Sequence, residues 1–303
     1  MTSSATEVAG VRLTNPDRVL YPGQGITKLE LAEYYVAIAD RVVPELRNRP
    51  LTLLRCPAGS EKECFVQRRA SAAISDVVHR VPVTVAGEES AEHLAIDSLE
   101  GLISLVQLGV LELHTWSARR DRLDRPDRLI MDLDPSPELP FRATVDAALE
   151  MRETLQELGL QSFVRSTGGK GLHVVAPLVR RNSWEELRSA ARAIADSLAA
   201  KRPGSYLAKA SIAERKGRIF VDYMRNAPGA TAIASYSTRA RPGAPVSVPL
   251  HWSELEHTFD PREWTVRTVP ERVRQEKSPP WQAASQLRQS LNRELMDQLG
   301  LVG

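Results

Sequence analysis

Apolar residues recur at helical spacing after Thr27: Leu31, Tyr35, Ile38 and Val42 fall on one face of a predicted helix from Lys28 to about Arg47. Thr27 with Glu30 three residues later forms a capping box that sets its start, and Arg49-Pro50 ends it. Leu51 to Arg55 then reads as a short strand, and Pro57 to Arg69 as a polar loop with one aromatic, Phe65. Ser98 to Leu108 reads as an amphipathic helix and Leu111 to Trp116 as a strand. The charged, Pro-containing link from Asp121 to Asp127 marks a lobe boundary. Beyond it, strands are predicted at Arg128 to Asp134, Ser162 to Arg165, Leu172 to Ala176, Arg218 to Tyr223 and Ala232 to Tyr236. Helices separate them at Thr144 to Leu158 and from Ser183, boxed by Glu186, to about Ala200. Pro270 to Trp281 reads as loop, and 283–299 as a C-terminal helix that packs rather than reacts.

Strands interleaved with helices predict an α/β (α+β mixed) fold. The turn Gly168-Gly169-Lys170-Gly171 lies between two close strands and adds an antiparallel element, so the sheet should be mixed. One domain over 1–303 in two lobes is expected, an N-terminal lobe at about 1–125 and a catalytic lobe at about 126–275.

Composition narrows the class. A chain of 303 residues with 42% hydrophobic and 26% charged residues is expected to be globular and soluble. No apolar run approaches the roughly 20 residues of a membrane helix, so no membrane partner is expected. The start, Met1 to Gly10, lacks the apolar core of a signal peptide. Cys56 and Cys64 have no CxxC spacing, which argues against a disulfide framework or structural zinc and for a cytoplasmic protein. Forty Lys+Arg against 38 Asp+Glu leave +2, which excludes a uniform basic coat but permits a local basic groove.

Four groups could carry chemistry. In Arg128 to Asp134, strand alternation projects Asp132 and Asp134 from one face, where two carboxylates would share a divalent cation. The same pattern fits a strand that simply ends in solvent. Asp222 lies in the apolar strand Ile219-Phe-Val-Asp222 and needs Arg225, Arg215 or a metal to compensate it. Ser166-Thr167-Gly168-Gly169-Lys170-Gly171 gathers hydroxyls, backbone N–H groups and an ammonium suited to a triphosphate. It is no Walker A loop, since Gly171 follows the lysine. Arg239 and Arg241 would share a strand face and could clamp phosphates. His114 and His173 sit in apolar strands where a satisfied core histidine is the commoner role. No zinc or serine-hydrolase spacing occurs.

Together these residues resemble the polymerase domain of bacterial DNA ligase D, in the archaeo-eukaryotic primase superfamily. The carriers are Leu13-Thr-Asn-Pro-Asp-Arg-Val-Leu-Tyr-Pro, Ile26-Thr-Lys28, Asp132-Leu-Asp134, Ser166 to His173, Phe220-Val-Asp222-Tyr with Arg225-Asn226, and Tyr236-Ser-Thr-Arg239. The resemblance implies a two-lobed, primase-like core. It also implies template-directed addition of ribo- or deoxynucleotides at double-strand breaks in the bacterial nucleoid. Asp132, Asp134 and Asp222 match the catalytic metal triad, for two Mn²⁺ or Mg²⁺ ions. His114, Ser166, Thr167, Lys170, His173, Arg239 and Arg241 match nucleotide-holding positions. Asn15, Arg18 and Lys28 match a pocket for the 5′-phosphate of downstream DNA, and Arg55 and Phe65 match template contacts. Arg18 stands where many relatives have lysine. Cys64-Phe65 stands where two aromatics are usual, which removes one stacking platform worth about 1–3 kcal/mol.

No K-x-D-G ligase motif or His-rich nuclease module occurs, so a stand-alone polymerase or an excised domain is expected, with an end-binding protein and a separate DNA ligase as the partners the resemblance implies. Three other functions compete. A non-catalytic end-bridging protein would not need the three aspartates. A dehalogenase-type phosphohydrolase would need a later Gly-Asp motif, which is absent. De novo priming would use the same site.

Overall fold

Thr27 and Ser183 open helices as their spacing predicts: each side chain accepts from the N–H three residues on, and Glu30 and Glu186 return the bond. The first helix is shorter than its periodicity suggests. It covers Lys28–Ala37, and Ala39–Leu46 follows after a break at Ile38. Pro44 lies inside the second helix, past the break, where it leaves the carbonyl of Asp40 without its helical donor. Helix Leu99–Gln107, capped by Ser98, packs with both.

The computed structural model describes residues 6–71, 74–84, 90–209, 212–257 and 260–301; the polar start at 1–5 lies outside them. The chain divides into two compact units. One joins Met1–Trp116 to Thr231–Val248 and Arg262–Lys277, the other Ser117–Ala230 to Pro249–Pro261 and Ser278–Gly303. The division therefore falls before the 121–127 link. Two later segments, read in the sequence as catalytic lobe, return to the first unit.

In the first unit a sheet runs in the order Ala232–Ile233, Val110–Thr115, Leu51–Arg55, Ala91–Ala95, His79–Val83, with Phe65–Gln67 also paired to Leu51–Arg55. Arg55 pairs with Phe65, so their outer neighbours Cys56 and Cys64 face each other, and they form a disulfide. The sequence expectation missed it because strand register, not Cys spacing, creates it. Gly109 lets the chain pass close to this corner: its φ is +76°, and a Cβ there would lie 2.9 Å from Pro57 Cα.

In the second unit the order is Tyr206–Leu207, Ile219–Asp222, Arg128–Pro135, Leu172–Pro177, Phe163–Ser166, Pro249–Leu250. All pairs are antiparallel except the first, so the sheet is mixed, as expected. Helices Phe141–Glu157 and Trp184–Lys201 pack on it through stripes such as Leu187, Ala190, Ala191, Ile194 and Leu198.

Three further expectations are corrected. The strand at Ala232 stops at Ile233, because the chain turns at Tyr236, whose φ is +66°. Val269–Gln275 is helical, since Pro270 sits in the first turn, where its missing N–H costs nothing. The C-terminal stretch is a 3₁₀ turn, Gln282–Gln286, and a short helix, Arg293–Gln298. Between them Gln289 Nε2 donates to the carbonyls of Gln161 and Pro177, which pins an extended segment and breaks the helix.

Candidate active site

Strand register in the second unit assembles one row of polar side chains across four neighbouring strands. Arg165 pairs with His173, His173 with Asp132, and Asp132 with Asp222. Cross-strand partners share a face, so all four project together, joined by Asp134 two residues along. Asp132, Asp134 and Asp222 place one carboxylate oxygen each within 4.8 Å of one another, the spacing of a shared cation.

Arg225 offsets part of this charge, its Nε lying 3.2 Å from oxygens of both Asp132 and Asp222. The backbone N–H of Met224 donates to Asp222 Oδ1. Buried Asn226 fixes the turn, accepting from the N–H of Ile130 and donating to the carbonyls of Ile130 and Tyr223. His173 is buried, with Arg165 donating to Nδ1 at 3.0–3.1 Å and Nε2 3.2 Å from Asp132 Oδ1. Burial pushes the His173 pKa down against the pull of Asp132, and the arginine donor requires an unprotonated Nδ1. Neutral His173 thus turns Nε2–H toward Asp132. Burial would raise Asp132, but His173 and Arg225 outweigh it and keep it ionised. Asp134 is raised to about 6, by burial first and then by the charge of Asp132. Asp222 is also raised by burial, with Arg225 opposing. A row that strains to hold three negative charges fits a divalent ion, since an ion would relieve the crowding that lifts Asp134.

The glycine loop adjoins this row. A Cβ on Gly171 would lie 3.0 Å from Thr167 Oγ1 and 3.5 Å from Asp134 Oδ1, so a side chain there would crowd both. Thr167 donates through N and Oγ1 to Gly171 O, Ser166 is fully buried, and Lys170 Nζ donates to Pro137 O at 2.7 Å.

The other expected residues lie in the first unit. Glu112 and His114 share a face of Val110–Thr115, and His114 Nε2 is 2.9 Å from Glu112 Oε2. Arg239 Nε lies 3.1 Å from Glu112 Oε1, which also accepts from Ala240 N. Arg239 and Arg241 share no strand face, since Tyr236 turns the chain and only Thr238 bridges, to Val246. Arg241 is exposed, and the Glu112 cluster is built without it.

Asn15, Arg18 and Lys28 gather where the first helix begins. Arg18 N donates to Asn15 O and Lys28 N to Arg18 O. Lys28 Nζ donates to Thr14 O and to both oxygens of Gln107; burial and the charge of Arg18 lower its pKa. Arg55 stacks on the exposed ring of Phe65, 5.1 Å from its centroid, and bonds Leu108 O and Gln67.

Sequence reasoning missed Arg165, Glu112 and Gln107. Glu112 carried a usable signal, since it sits two residues from His114 on a predicted strand. Arg165 and Gln107 needed tertiary register.

The family model for the LigD primase-polymerase domain matches residues 27–281. The chain belongs to this family. LigD primase-polymerase domains are nucleotidyltransferases, and the carboxylate row suits a metal-dependent polymerase of that class. The chain is 39% identical over 300 residues to the multifunctional non-homologous end joining protein LigD of Pseudomonas aeruginosa, covering 98% of this chain and 36% of the relative. It is 33% identical over 247 residues to the corresponding Mycolicibacterium smegmatis protein, covering 81% and 32%. The chain thus spans about a third of the length of these curated relatives. The structure of the polymerase domain from Mycobacterium tuberculosis ligase D in complex with DNA matches with a TM-score of 0.83 at 28% identity, covering 91% of this chain and 98% of that one. The mixed α/β LigD polymerase fold expected from the sequence is the one observed. No helix among the described residues is long and apolar enough to cross a membrane.

Proposed function

We propose that this chain catalyses template-directed nucleotidyl transfer at gaps and broken ends of DNA, with ribo- or deoxynucleotides, and grips the downstream 5′-phosphate. The observation that carries the reading is the contact of the glycine loop with the carboxylate row: Gly171 lies against Asp134, so a triphosphate on the loop reaches the row. Relatives named for end joining, and a solved relative holding DNA, support broken DNA as substrate.

Asp132, Asp134 and Asp222 would hold divalent ions, two in this reading, and an all-carboxylate donor set favours Mn²⁺ or Mg²⁺ over zinc. Such ions, when bound, acidify the primer 3′-hydroxyl and offset charge on the transferred phosphate. The remaining work belongs to the chain. Arg225 and His173 orient the two oxygens of Asp132. Ser166, Thr167 and the loop N–H groups bind phosphate oxygens, with Lys170 exchanging the Pro137 carbonyl for a charged partner. In the first unit, His114, Arg239 and Arg241 are the nucleotide-holding residues of this reading. Asn15, Arg18 and Lys28 bind the 5′-phosphate, with Gln107 bracing Lys28. Phe65, backed by Arg55, stacks on the template. An end-binding protein and a ligase activity would complete the repair.

The test compares gapped duplexes ending in 5′-phosphate or 5′-hydroxyl, with rNTP or dNTP. The reading expects templated addition and tighter binding to the phosphorylated gap. Equal affinity for the two gaps removes the 5′-phosphate role, and DNA binding without addition favours an end-bridging protein.

A further inference from the structure

Glu112, in the first unit, gathers donors from two distant stretches of chain. Its Oε2 faces His114 Nε2 at 2.9 Å, and its Oε1 accepts from Ala240 N at 2.9 Å with Arg239 Nε at 3.1 Å. Burial alone would raise its pKa, yet His114 and then Arg239 pull it to about 2, so it is ionised throughout the neutral range.

We propose that Glu112 is the positioning residue of the nucleotide site, aiming the His114 imidazole and the Arg239 guanidinium; this rests on the reading that those two residues hold the incoming nucleotide. His114 lies two residues along on the same strand, while Arg239 arrives on an irregular segment far along the chain. A flexible arginine in such a segment has many rotamers, and pairing its guanidinium with a buried carboxylate narrows the directions open to the planar fork. The same carboxylate orients the imidazole through Nε2, turning Nδ1 away. Both groups are then set before nucleotide arrives, which lowers the ordering cost of binding.

The local fold does not depend on this contact. Ala234 N donates to Leu113 O, Leu113 N donates to Ser237 Oγ, and Thr238 Oγ1 donates to Leu111 O. These bonds hold the 234–238 segment along the strand without Glu112. Replacing Glu112 therefore frees two side chains and the Ala240 N–H while the 234–238 segment stays held.

The test is single-nucleotide addition to a gapped duplex over a nucleotide concentration series, for the unsubstituted chain, E112A, E112Q, H114A and R239A. Affinity for 5′-phosphorylated DNA and thermal midpoint are measured in parallel. E112A is expected to raise the nucleotide KM by about tenfold or more, the weight of a charge-assisted hydrogen bond, with DNA affinity unchanged. E112Q keeps an oxygen for Arg239 and Ala240 and should recover part of the loss; it also carries the test if E112A does not fold. Increased KM in H114A and R239A with no change in folded E112A or E112Q overturns the positioning role alone. Unchanged KM in H114A and R239A overturns the nucleotide reading and this inference with it.

Discussion

Asp132 and Asp222 stand directly opposite each other on neighbouring antiparallel strands. Both are buried, and Arg225 Nε lies 3.2 Å from an oxygen of each. Like charges set face to face destabilise a strand pair unless a cation intervenes, so Arg225 and a bound metal act toward the same end. Arg225→Ala should lower the stability of the metal-free protein by roughly 2 kcal/mol, less than for a fully buried pair because Arg225 is partly exposed. Saturating Mn²⁺ should recover much of that loss. Denaturant titration with chelator and with Mn²⁺ measures both.

Asp134 is forced upward to about 6 by burial and by Asp132. A raised folded-state pKa means the folded protein holds its proton more tightly than the unfolded chain. Metal-free stability should therefore fall as pH rises from about 4 through 6. Asp134→Asn should remove this slope and stabilise the metal-free protein by about 1–2 kcal/mol at pH 7. Mn²⁺ affinity of the unsubstituted chain should weaken below pH 6, where the proton competes. Thermal unfolding and isothermal titration across pH 5–8 check the two signs.

The pocket at the first helix contains two cations in different states. Lys28 is buried and bonded to three carbonyl oxygens, whereas Arg18 reaches Pro57 O from the exposed side. Arg18→Ala should leave folding unchanged and cut the preference for a 5′-phosphorylated gap by about tenfold. Lys28→Ala should lose the same preference and also destabilise the chain, because Thr14 and Gln107 lose their donor. Fluorescence anisotropy with matched gapped duplexes, together with melting curves, separates the two.

The Cys56–Cys64 bond closes the turn that carries Arg55 and Phe65. Cys64→Ser should cost roughly 2–3 kcal/mol in oxidising buffer, by loop entropy, and nothing in strong reductant. Melting curves in the two buffers test this.

The helices that begin at Thr27 and Ser183 were legible because a capping box is a local signal, and Asp132 with Asp134 because strand alternation is local too. What the sequence could not disclose depends on register. Asp222 reaches Asp132 only through a pairing between strands far apart in the chain, and Arg165 reaches His173 only through the register of the hairpin. The same register sets Arg165 against Nδ1 of His173 and Asp132 beside its Nε2. The face shared by Arg239 and Arg241 failed at Tyr236, a positive-φ turn no propensity predicts for tyrosine. The disulfide escaped notice for the same reason as the row, since only the Arg55–Phe65 pairing brings its cysteines together.

Primer extension on a gapped duplex with Mn²⁺ or Mg²⁺ tests the central claim most directly, comparing the unsubstituted chain with Asp134→Ala. Templated addition should occur only with the divalent ion and should fall at least about hundredfold in the variant, with binding to 5′-phosphorylated DNA retained. Undiminished extension by Asp134→Ala, or none by the unsubstituted chain with either ion, would contradict it.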